Sequence, residues 1–144
     1  MAQFQHRDFV DTWFRRVWHE EDAGAISEMM LSDAQVKGMS NQVVVGAEGF
    51  TAFQQALLAL LSDIRIEFDH YSEDGDWVTV LFNVRAVCRK SGKPAAFTAQ
   101  AMARIADGQI AEAYNHVDFI SMFEQLDLLP EGCFQSLLTG NRLG

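Results

Sequence analysis

Proline and cysteine are almost missing from this chain, at two residues each in 144. Cys88 and Cys133 lie far apart and form no CxxC pair, which excludes a disulfide scaffold or a paired Cys/His metal site and predicts buried free thiols in a reducing compartment. With so little proline there is no proline-rich linker, and no repeat or low-complexity segment breaks the chain. Positive charge is also scarce. Eleven Lys and Arg stand against twenty Asp and Glu, for a net charge of −9. The few cations are scattered, so a phosphate backbone would be repelled and nucleic acid is excluded as a partner. Long apolar runs are absent too. The longest, Ala56 to Leu61, is far too short to cross a bilayer, and the opening Met1–Asp8 carries charge where a secretory leader has its apolar core. These features predict a cytoplasmic protein that does not engage a membrane. His6, His19, His70 and His116 make no HExxH or HxH spacing, so no metal site is expected.

What is present is ordinary globular material, with 49% hydrophobic and 22% charged residues. A chain of this size can bury a core unaided, and residues 1–144 read as a single domain. From Phe9 to Trp18 the apolar residues Phe9, Val10, Trp13, Phe14, Val17 and Trp18 recur at helical spacing. Asp22 suits the N-cap of a short second helix carrying Ile26, Met29, Met30 and Leu31. Extended stretches follow near Val36 and at Val43–Val45, then a third helix over Glu48–Ser62.

From Ile64 the period changes to two, as a half-buried strand requires. Turns at Glu73–Asp76, Ser91–Pro94 and Asp107–Gly108 separate strands ending near Arg89, Ile105 and Asp118, which predicts a four-stranded antiparallel meander. A helix over Phe119–Leu126 and an irregular tail beyond Pro130 complete the chain. Helices first and a long meander afterwards imply an α+β fold whose curved sheet wraps onto the helices and keeps a cavity on its concave side.

Several strings carry a resemblance. Val17-Trp18-His19-Glu20-Glu21-Asp22, Gly46-Ala47-Glu48-Gly49-Phe50, Arg104-Ile105-Ala106-Asp107-Gly108-Gln109-Ile110, Tyr114-Asn115-His116-Val117-Asp118 and Met122-Phe123-Glu124-Gln125-Leu126 together resemble the SnoaL-like polyketide cyclases. These form a branch of the nuclear transport factor 2-like superfamily of cone-like α+β domains (cystatin-like α+β barrels), and the likeness runs from about Phe9 to Leu129. It implies a small hydrophobic carbonyl compound as ligand, closed by aldol condensation without metal or organic cofactor, and self-association into a homodimer through the outer sheet face. In such cyclases an Asp near the end of the last strand is acid and base, which matches Asp118. A Gln and a His two apart on the preceding strand match Gln100 and Met102, so the His is replaced. The resemblance also makes Trp18 a cavity residue.

Read from the residues alone, Tyr114, His116 and Asp118 alternate and so leave the last strand on one face. A carboxylate in an apolar pocket gains basicity by desolvation, which suits proton transfer beside an enolisable carbon. Asp118 reads equally as the cap of the helix that follows, and His116 reads as a packed strand residue or as a catalyst. Phe53 and Leu57 read as cavity lining or as core. The facing partners depend on the turn. A two-residue Asp107-Gly108 loop sets Ala99 opposite His116 and Ala101 opposite Tyr114, whereas a three-residue loop with a bulge sets Gln100 opposite Tyr114 and Met102 opposite Glu112. The resemblance favours the second register. Three readings stand: a cyclase- or isomerase-type enzyme using Asp118, a non-catalytic small-molecule binding or accessory protein, and a protein whose pocket is filled by its own side chains and which serves through its dimer surface.

Overall fold

A computed structural model describes residues 4–143; Met1–Gln3, part of the opening read above, and Gly144 lie outside it. Helix α1 (Arg7–Phe14) buries Val10, Trp13 and Phe14 on one stripe. The chain then widens into a π-helical turn, Arg15–His19, with the Glu20 N–H donating to the Arg15 carbonyl at 2.8 Å. Such a turn inserts one residue into the helical repeat. Val17 and Trp18, four residues on from Trp13 and Phe14, are both buried.

The widened turn is braced from two sides. Gln54, the one buried polar side chain among the described residues and 0% exposed, donates from Nε2 to the Val17 carbonyl at 2.8 Å. That carbonyl left unpaired in the core would cost about 1–3 kcal/mol. His19 accepts at Nε2 the N–H of Ile66, 3.0 Å away. Ile66 lies on β3 (Leu61–Asp74), the last strand of the sheet, so the imidazole satisfies part of an open edge.

Asp22 caps α2 (Ala23–Met29) by accepting the Gly24 N–H at 2.9 Å, and it also holds Arg16 at 2.8 Å. The second helix stops earlier than its apolar spacing suggests. Met30 and Leu31 already belong to β1 (Met30–Lys37), because Met30 turns extended without a connecting loop. β2 (Val44–Val45) pairs antiparallel with β1 and leads into α3 (Gly46–Leu60). Gly46 sits at φ +68 with Ser32 O only 1.9 Å from where a Cβ would stand, so glycine alone fits where α3 leaves the sheet.

β3, β4 (Trp77–Cys88), β5 (Pro94–Ala106) and β6 (Gln109–Val117) form the expected meander. The sheet as a whole is mixed and six-stranded, in the order β2-β1-β6-β5-β4-β3, because β1 joins β6 in parallel. It does not close into a barrel, since β2 and β3 remain free edges. Register shifts in β3 between Ser62 and Arg65 and between Phe68 and His70 bend that strand around the helices. Helix α4 (Phe119–Gln125) follows β6, and the tail that reads as irregular contains a short α5 (Cys133–Leu138). Cys88 and Cys133 are free and buried. Among the described residues no helix is long and apolar enough to cross a membrane.

Glu73 fastens the front of the chain to β3, accepting the N–H groups of Gln5 at 2.8 Å and His6 at 3.0 Å and the Tyr71 hydroxyl at 2.5 Å. Burial alone would raise this carboxyl, yet the donated hydrogen bonds hold it below its ordinary value. Burial pushes the other way on His19. Desolvation, helped by the Arg65 and Arg15 charges and opposed by Glu20, lowers the imidazole below its ordinary 6.5.

The folded state thus favours neutral His19, while the unfolded chain takes up a proton near pH 6.5. The stability this provides is complete above that pH and is lost as pH falls towards the lowered folded value. Urea denaturation at pH 7.5 and 5.5 is expected to show a decline that His19→Gln, which can accept but does not titrate, reduces. An equal decline in both proteins would refute the assignment.

Candidate functional site

The size of inward side chains on the sheet decides where space remains. Inner positions of β4 are filled by Val78, Val80, Phe82 and Val84, but those of β5 and β6 include Ala99, Ala101, Ala103 and Ala113. Across from these small residues stand the rings of Trp13, Trp18, Phe50 and Phe53. Trp18 meets Phe50 at 6.2 Å and Phe53 at 6.3 Å, both near edge-on, and Trp13 meets Phe50 at 5.5 Å. Rings locked against one another cannot collapse onto the alanines, and a cavity of about 100 Å³ persists between them. That is several times the space one water needs.

No Asp, Glu, His, Lys or Arg lines this cavity. Apart from the indole N–H groups of Trp13 and Trp18, its one polar side chain among the described residues is Asn115. Asn115 lies between Ala113 and Val117, both of which line the cavity, and its amide makes no hydrogen bond within the described residues. Close beside it, Gly38 at φ +97 packs where a Cβ would come within 2.8 Å of both the Asn115 carbonyl oxygen and His116 Nε2. The strap that begins there carries Met39 over the cavity.

The residues singled out from sequence divide into two groups. Trp18, Phe53 and Leu57 line the cavity. Tyr114, His116, Gln100 and Met102 do not; they occupy the outer face of the sheet. The expectation that the last strand aims Tyr114 and His116 into the hollow is therefore corrected, and the cause is a bulge. Asp107 (φ 52) and Gly108 (φ 74) form a two-residue turn, pairing Ile105 with Ile110, but the next pair is Arg104 with Glu112. Ala111 is the extra residue. It shifts the register so that Gln100 faces His116 and Met102 faces Tyr114, which is neither of the two registers considered. Gln100 and Met102 do share a face with Tyr114 and His116, but that face is the convex one.

Asp118 lies beyond the end of β6, exposed, and its carboxylate accepts the Ser121 N–H at 3.1 Å as the N-cap of α4. The capping reading describes its geometry, and it is not among the cavity-lining residues. The outer face has its own organisation. Arg104 Nε binds Glu112 at 2.8 Å, Trp77 stacks with Tyr114 at 6.4 Å, and Leu81 and Met102 are 36% and 41% exposed. Hydrogen bonding from Arg104 keeps the Glu112 carboxyl below its ordinary value. A second, open depression beside α1 contains Arg7, Asp11, Arg15 and His19. Its cations are paired already, Arg7 with Asp11 at 3.0 Å and Arg15 with Glu20 at 2.5 Å.

Asn115 and the alanine wall are what reading the sequence missed. The signal was an isolated polar residue two places from an apolar neighbour on each side, Ala113-x-Asn115-x-Val117, within a strand whose even positions drew attention as the more reactive set.

The comparisons fit this architecture. Residues 10–113 match the SnoaL-like domain, and the chain belongs to that family. No curated protein matches it. Among solved structures, a candidate SnoaL-like polyketide cyclase from Jannaschia sp. CCS1 superposes with a TM-score of 0.77 at 20% identity, over 90% of this chain and 100% of the other. AclR of Streptomyces galilaeus, a candidate hydroxylase, gives 0.76 at 14% identity, over 93% and 90%. A protein with a ketosteroid isomerase-like fold from Catenulispora acidiphila DSM 44928, in complex with trimethylamine, gives 0.72 at 15% identity, over 83% and 93%. At these identities the likeness establishes the fold, which is α+β with a curved, unclosed sheet.

If Asp118 serves α4, removing its carboxylate acts on stability. Asp118→Ala is expected to lower unfolding free energy by about 1 kcal/mol, measured by chemical denaturation, with Asp118→Ser recovering most of it. A neutral Asp118→Ala would contradict the capping role.

Proposed function

We propose that this SnoaL-like protein binds a small, uncharged, largely apolar molecule in the cavity beneath β5 and β6, and that it does so without proton transfer by an ionisable side chain of its own. One observation carries the reading: apart from Asn115 and two indole N–H groups the cavity wall is built of apolar side chains, and among the described residues it contains no group that titrates near neutral pH. A carbonyl compound enclosed there would gain about 25 cal/mol for each Å² of apolar surface removed from water. It would find no carboxylate or imidazole to take a proton from an adjacent carbon. The cyclase and hydroxylase descriptions belong to the neighbours. For this chain, the exposed, capping position of Asp118 favours the binding role over the cyclase-type one.

Trp13 and Trp18 make binding visible. Titration with acetophenone, an enolisable ketone of one ring, is expected to change tryptophan fluorescence saturably, and Ala101→Leu, which fills the cavity, is expected to abolish the change while leaving the protein folded. A response that survives the Leu substitution would place the ligand elsewhere. Solvent deuterium exchange at the acetophenone methyl group is expected to stay at the uncatalysed rate; acceleration that vanishes in Asp118→Asn would restore the acid/base reading.

The outer face supports self-association. Trp77, Leu81, Met102 and Tyr114 form an apolar centre beside the Arg104–Glu112 pair, and we propose a homodimer through it. Sedimentation velocity at micromolar concentration is expected to show a dimer that Met102→Glu dissociates. A monomeric wild-type protein would remove the proposal.

A further inference from the structure

Three features of the cavity, taken together, specify its occupant more narrowly than apolar character does. The first is charge. No cationic or anionic side chain lines the wall, and an ion buried without a partner costs several kcal/mol or neutralises itself. A carboxylate or an ammonium ligand therefore has no counterion here. The second is size. About 100 Å³ is comparable to the space that holds a single benzene ring in an engineered apolar cavity of about 150 Å³. The third is the lone amide. Asn115 is half-buried on the concave face, between Ala113 and Val117, with no hydrogen-bond partner for its side chain among the described residues.

An Asn amide offers an acceptor oxygen and two N–H donors, so it can bind a carbonyl or a hydroxyl. Neighbouring alanines leave it unshielded. Gly38 seats the strap against the Asn115 backbone, and Met39 brings a flexible apolar side chain to the cavity that contains this amide. We infer that Asn115 is the specificity-determining residue of the cavity, selecting a neutral ligand of about one ring that bears a single carbonyl or hydroxyl group, over the matching hydrocarbon and over the corresponding anion. The inference rests on the reading that the cavity binds a small molecule. It adds which molecule is preferred and which atom is held.

The test uses pairs of equal shape. Acetophenone and α-methylstyrene differ in a carbonyl oxygen against a methylene group, and benzaldehyde and benzoate differ in charge. Calorimetric titration of the wild-type protein is expected to give acetophenone about tenfold tighter than α-methylstyrene, the equivalent of one retained hydrogen bond, and benzoate at least tenfold weaker than benzaldehyde. In Asn115→Leu the ketone preference is expected to fall to about one, with α-methylstyrene binding as well as before or better. Equal wild-type affinity for the ketone and the alkene overturns the anchor whether or not the Leu variant folds, and leaves the binding reading in place. A ketone preference that persists in folded Asn115→Leu also overturns it and assigns the contact to an indole N–H. Failure of all four compounds to bind removes the cavity reading and the anchor with it.

Discussion

One extra residue in β6 governs the chemistry of this molecule. A strand alternates its side chains between two faces, so an insertion moves everything beyond it to the opposite side. The bulge at Ala111 places Glu112, Tyr114 and His116 on the convex surface and Ala113, Asn115 and Val117 on the concave one. Polar and potentially catalytic groups are thereby sent to the outside, and the inside receives small apolar residues and one amide. Without that bulge, the strand that closes the cavity would carry an imidazole and a phenol into it.

The opposite wall depends on how the first helix is held. Trp18 continues the buried stripe of α1 into the π turn at Arg15–His19, from which His19 reaches the β3 edge, and the turn is held by Gln54 on one side and the Ile66 N–H on the other. Helix and sheet are thus joined by specific polar contacts at the rim of an apolar core. Such contacts resist sliding where dispersion forces alone would permit it. The cavity persists because both of its walls are fixed in register, and its alanine side is opposed by rings too tightly interlocked to move in.

Asp118 illustrates why position outweighs residue type. A carboxylate gains catalytic character from desolvation and a nearby substrate, and this one is exposed and accepts the Ser121 N–H. The same side chain rotated into an apolar wall would be a candidate base. Family membership is consistent with either arrangement, because function resides in the site and the fold only carries it.

The sequence by itself determined the class of architecture. Period-3.6 and period-2 patterns, the Asp22 cap, the Asp107-Gly108 turn and the quoted family strings are all local, and local rules set the helices and the meander; they put Phe53 and Leu57 on a buried helix face without separating cavity from core, and Trp18 was assigned to the cavity by the family likeness alone. The parallel pairing of β1 with β6 was not legible, since it joins segments remote in the chain. Nor was the face on which Tyr114 and His116 emerge, because a bulge leaves no mark in the apolar pattern when the residue it inserts is another alanine. Tertiary structure alone decided that Asn115 faces inward and Asp118 outward: hydrogen-bond registry between neighbouring strands fixes pleat parity, and that registry is a property of the assembled sheet.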